Sequence, residues 1–153
     1  MNKFSLLLIS ILVVISCSSN NGSSADETPD PSVNITATID NVGSSSWEFT
    51  SIVGDNNTAS LNENNTTLTL VVGQRYRFVN NGGSAHPIGF RNSNNEYLLA
   101  QGSTGGSFES DQDVDFVSDS NGVTFTVTQS LADAVATYRC TIHASMEGTV
   151  AIR

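Results

Sequence analysis

Three side chains that soft transition metals prefer stand three residues apart near the end of this chain: Cys140, His143 and Met146. They offer a thiolate, an imidazole and a thioether. Spacings of three bring side chains back to one side of a turn or loop, so one compact loop can aim all three donors at a point. The chain has only two histidines, and the other is His86, far upstream. A lone histidine in a loop is more often a hydrogen-bonded surface group. The downstream Cys/His pair is what makes His86 a candidate ligand.

The donors select among metals. One thiolate, two neutral imidazoles and a weak thioether make the trigonal two-His, one-Cys set with a distant axial methionine, an arrangement that suits copper and single-electron transfer. Zinc accepts His and Cys donors but gains little from a thioether and often adds further cysteines or a carboxylate. Met146 therefore tips the reading to one copper ion held by His86, Cys140, His143 and Met146.

Cysteine usage agrees. Lys3 supplies a positive start, and residues 4–15 form an apolar run too short to span a bilayer. The run ends in Val14-Ile15-Ser16-Cys17, which resembles a bacterial lipobox. The expected division is a lipoprotein signal peptide over 1–16, a lipidated Cys17 with a flexible tether over 17–32, and one domain over 33–153. The tether is Ser, Asn, Gly, Asp and Pro, with too little apolar surface to offset its chain entropy. The expected location is extracytoplasmic, anchored by lipid to a bacterial membrane. With Cys17 lipidated, Cys140 has no disulfide partner, and a single thiol in an oxidising compartment must be buried, reactive or metal-bound.

The elements that must position the donors read as β. A strand alternates its faces, so Tyr138 and Cys140 point one way and Arg139 the other. Gly148 is expected to give a sharp exit into a last strand over 149–152. Upstream, 33–39, 46–53, 66–72, 75–80 and 123–128 are short β-prone segments separated by turn residues, several with alternating apolar positions. Their spacing fits an all-β sandwich better than alternating βα units. Trp47, Phe49, Phe78, Phe90 and Phe125 are expected in the core. One helical turn is expected over 130–135, with Ser130 as its N-cap. Between 81 and 122 strands become sparse, and that interval carries His86. The alternating carboxylates of 109–115 lack the glycine and closing glutamate of a calcium loop, since Phe116 and Gly122 stand there, and read as a solvated acidic loop.

Charge excludes some functions. Fifteen acidic residues against six basic ones give a net charge of -9 in 153 residues, which argues against nucleic-acid binding and favours a basic partner surface. Losing the leader with Lys3 makes the mature chain one unit more negative.

The segment from Cys140 to Gly148 resembles the C-x-x-H-x-x-M-x-G ligand loop of the cupredoxins, the type 1 blue copper proteins, in the short form seen in amicyanin, with Tyr138 two residues before the cysteine. Residues 72–80 followed by His86 look like the strand and loop that carry that family's first histidine. The resemblance implies a Greek-key β-sandwich of seven or eight strands over about 33–153. It also implies electron transfer to and from a protein redox partner, with His143 nearest the surface as the exit. The chain departs from the pattern at Ala136, where amicyanin-like members have a second tyrosine, and at Pro87, where asparagine is common. Proline has no N–H to offer the cysteine sulfur. An enzyme built on a second copper centre would need further histidines, so an electron carrier rather than an enzyme is expected, as a monomer. Copper storage or delivery through the same four residues is the alternative.

Overall fold

The computed structural model describes residues 32–153, so the leader, Cys17 and most of the tether lie outside the described residues. Ten strands form two five-stranded sheets. The first has the order β2-β1-β4-β8-β7, from β1 (Ile35–Val42), β2 (Ser46–Val53), β4 (Arg75–Asn80), β7 (Val117–Asp119) and β8 (Gly122–Thr126). The second has the order β3-β10-β9-β5-β6, from β3 (Leu68–Leu70), β5 (Ile88–Arg91), β6 (Tyr97–Ala100), β9 (Thr137–Cys140) and β10 (Glu147–Ile152). Both sheets are mixed: β1 runs parallel to β4 and β3 parallel to β10, while the other pairs are antiparallel.

The alternation read from the sequence becomes the core. Ile35, Ala37 and Ile39 of β1 face inward and are buried, and β4 adds Tyr76 and Phe78. Rings meet across the two sheets: Phe78 of β4 lies 5.4 Å from Phe90 of β5, and Phe90 lies 4.9 Å from Phe125 of β8. Such face-to-face packing of two apolar sheet faces is the β-sandwich solution to burial. All five expected core aromatics are buried.

Several elements differ from expectation, each for a local reason. The described residues hold ten strands rather than seven or eight, because β5, β6 and β7 fall inside the interval read as sparse. All four residues of β5 are buried, as are three of the four in β6; β6 is apolar throughout and shows no alternation, while that of Ile88-Gly89-Phe90-Arg91 in β5 lasts only four residues after a proline. The helical turn, α1 (Gln129–Ala134), is capped by Thr128, whose hydroxyl accepts from the Leu131 N–H; Ser130 lies inside it. Gly148 does not make a turn. It sits within β10 opposite Tyr138, where a Cβ would fall 2.4 Å from the tyrosine ring, so glycine allows the ring to cross the strand. The acidic loop is partly structural: Asp115 pairs with Arg75 at 3.0 Å, Glu109 accepts from the Ala100 N–H, and Val114 is buried.

Candidate metal centre

Strand β9 ends at Cys140, with Tyr138 and Cys140 buried and Arg139 only partly so, as the alternation requires. Its neighbour β5 pairs Ile88 with Cys140, which sets the residues just before Ile88 beside the cysteine. The Thr141 N–H donates to the Pro87 carbonyl at 2.9 Å and continues this register past the strand ends. His86 therefore arrives next to Cys140 through pairing of strands about fifty residues apart.

The ligand loop closes on itself. The Cys140 N–H donates to the Met146 carbonyl at 2.9 Å, and the Met146 N–H to the His143 carbonyl at 3.2 Å. Outside contacts fix its tip: the Ser145 hydroxyl donates to the Ser44 carbonyl at 2.7 Å, and the Asn65 amide donates to the Ser145 carbonyl at 3.1 Å. Asn65 also accepts from the Trp47 N–H through Oδ1. Beyond Met146, Glu147 pairs with Arg91 of β5 at 3.2 Å and with Arg139 of β9 at 3.6 Å.

The four expected donors come together. One ligand atom from each of His86, Cys140 and His143 lies within 4.8 Å of the others, the one such cluster of His, Cys, Asp or Glu among the described residues. The Cys140 Sγ is 3.7 Å from the His143 Nδ1, and the His86 Nδ1 is 3.2 Å from the Met146 Sδ. The two imidazoles stand 4.7 Å apart. Cys140 and Met146 are fully buried, His86 and His143 partly so, and the neighbouring Ile142 is 58% exposed.

This arrangement suits a metal ion. Bonds of about 2.0 to 2.3 Å at a trigonal angle separate two donors by roughly 3.7 Å, which matches the Cys140–His143 spacing. Cys140 is free and buried, so it is open to ligation but shielded from oxidants. Among the described residues its sulfur has no backbone N–H donor and one hydrogen-bonding contact, the His143 ring. Burial holds the His86 pKa below its ordinary 6.5, and the nearby His143 lowers it further. A neutral imidazole is the form that binds metal.

Other residues of the site gave no signal in the sequence. Trp47 places its ring edge-on to His86 at 6.3 Å, and its indole N–H is buried without a partner. Asn80 and Gln101, both buried, bond to the backbone on either side of Pro87. Nothing in residue type or spacing marked Asn65, Asn80 or Gln101, since polar residues at segment ends read as turns. An open depression of about 610 Å³ adjoins the site, with Ser84, Pro87, Thr141 and Ile142 in its wall. No protein-family model, curated protein or solved structure matches this chain.

Proposed function

We propose that this chain is a type 1 copper protein of the cupredoxin kind that carries single electrons, held at a bacterial membrane by lipid on Cys17. The observation that carries the reading is the convergence of His86, Cys140, His143 and Met146 from two distant parts of the chain. Zinc would explain the first three but not a buried thioether 3.2 Å from an imidazole nitrogen. When bound, copper supplies the one-electron Cu(I)/Cu(II) couple. The protein supplies a thiolate, two neutral imidazoles and a loop tied to both sheets, a frame that resists rearrangement on electron gain or loss.

Two further features support a carrier. His143 is partly exposed beside Ile142 and the depression, which gives an electron a short path to a docked partner. Each arginine of the described residues is paired with a carboxylate: Arg75 with Asp115, Arg77 with Asp119, Arg91 and Arg139 with Glu147, and Arg153 with Asp55. Unpaired acidic groups such as Asp40, Glu48, Glu63 and Glu96 then set the sign of the outer field, which favours a basic redox partner. The mixed sheets and the terminal ligand loop agree with a Greek-key cupredoxin-like sandwich.

Electron self-exchange of the copper-loaded protein tests this function. A carrier exchanges electrons rapidly between its Cu(I) and Cu(II) forms and retains the ion. Slow exchange with rapid loss of copper to a chelator would instead identify a storage or delivery protein.

A further inference from the structure

We infer that Asn80 and Gln101 are the positioning residues of His86, a buried amide pair that locks the histidine's loop in place before any metal arrives. The inference rests on the reading of His86 as a ligand. Each of the two side chains is 3% exposed, and a buried amide is costly unless its hydrogen bonds are made. Here they are. Asn80 Nδ2 donates to the His86 carbonyl at 2.7 Å and to Gln101 Oε1 at 2.7 Å, while its Oδ1 accepts from the Gly82 N–H at 2.9 Å. Gln101 Oε1 also accepts from the Ile88 N–H at 3.2 Å, and its Nε2 donates to the carbonyls of Asp119 at 3.0 Å and Ser120 at 3.4 Å.

The pair takes the two backbone groups that flank Pro87, the His86 carbonyl and the Ile88 N–H. Pro87 has no N–H to donate, and its one main-chain bond is the one its carbonyl accepts from Thr141, so the flanking groups carry the rest of the loop's attachment. Gln101 grips Ile88 twice, because its own N–H donates to the Ile88 carbonyl at 2.7 Å. Since Ile88 is the partner of Cys140, the grip also sets the height of His86 against the cysteine sulfur. Asn80 belongs to the first sheet and Gln101 follows β6 of the second, so the bond between them ties the sheets together beside the donors. Close packing completes the lock: a Cβ on Gly82 would lie 2.9 Å from the His86 Cβ. Networks with every member satisfied rigidify what they hold, and ligand geometry depends on such support.

The test uses the full chain, with the imidazole resonances of the metal-free protein as its first readout. Wild type should give one sharp set for His86. Asn80→Ala should broaden or double the His86 set and leave His143 unchanged, and should weaken cobalt(II) binding by about 10- to 100-fold. Gln101→Met should do the same, since it keeps the side chain's length but removes the oxygen that accepts from Asn80 and Ile88. Leu131→Ala, a core truncation in α1 before the far end of β9, serves as the destabilised control. If Asn80→Ala does not fold, Gln101→Met decides. Unchanged His86 signals and cobalt affinity in the variants, or equal His86 broadening in Leu131→Ala, would overturn the inference. Failure of the wild-type protein to bind copper or cobalt would strike the metal reading instead, and the metal-free spectra would still decide the lock.

Discussion

The Nδ1 of His86 lies 3.2 Å from the Sδ of Met146, which is sixty residues further along the chain and fully buried. A thioether so close to an imidazole nitrogen is placed to share one ion with it. If copper binds here, Met146 would be its weakest donor and should tune the reduction potential more than the affinity. Met146→Leu removes a donor and should raise the potential. Met146→Gln supplies a harder oxygen that favours Cu(II) and should lower it. A tenfold change in the Cu(I)/Cu(II) preference corresponds to about 59 mV, and voltammetry of the two variants should show shifts of this order in opposite directions.

Pro87 carries the second expectation. The sulfur of Cys140 has no backbone donor among the described residues. Replacing Pro87 with Asn returns an N–H at the residue before Ile88, the partner of Cys140, and keeps the carbonyl that accepts from Thr141. A bond to the thiolate worth about 1 kcal/mol more in the reduced site would raise the potential by about 40 mV. An unchanged or lower potential would show that the missing N–H has no bearing on the couple.

Protonation of His86 should be visible without metal. Its pKa in the folded chain is lowered by burial and then by His143. The unfolded chain therefore binds more protons between the lowered value and the ordinary 6.5. Stability from this group is full above 6.5 and is lost as pH falls through that window. The melting temperature of the metal-free protein should drop between pH 7 and pH 5.5, with a smaller drop in His86→Gln. Equal drops in both proteins would assign the pH dependence to other groups.

Trp47 is the only tryptophan and gives a built-in reporter. Its ring is fully buried, its N–H has no partner, and it stands 6.3 Å from His86. Emission should be blue-shifted and strongly quenched by one equivalent of copper. Cys140→Ser and His86→Ala should lose most of that quenching. Full quenching in both would mean that copper binds elsewhere near the indole.

Tyr138 and Gly148 test the frame. The Tyr138 hydroxyl donates to the Thr66 carbonyl at 2.6 Å, and its ring fills the space a side chain at Gly148 would need. Gly148→Ala should cost about 1–3 kcal/mol by overpacking, measured by denaturant unfolding. Combining it with Tyr138→Leu should recover part of that loss.

The sequence revealed the site more fully than the frame that holds it. Cys140, His143 and Met146 were legible because their donor chemistry and spacing are local, and His86 followed as the remaining histidine. Strands β2 and β4 were legible to the residue from composition and turn boundaries. Strand β6 was hidden because its residues are apolar on both faces, which erases the period of two, and β5 because its alternation lasts only four residues directly after a proline. Asn65, Asn80 and Gln101 were hidden for a different reason. Their roles arise from what the fold brings beside them, and an isolated polar residue carries no mark of a partner twenty or eighty positions away.

Binding of a copper ion through the Cys140 sulfur is tested most directly by the visible absorption spectrum of the copper-loaded protein. One equivalent of Cu(II) should give an intense blue thiolate band that ascorbate bleaches and that is absent from Cys140→Ser. A colourless wild-type protein, or a spectrum identical to that of Cys140→Ser, would contradict it.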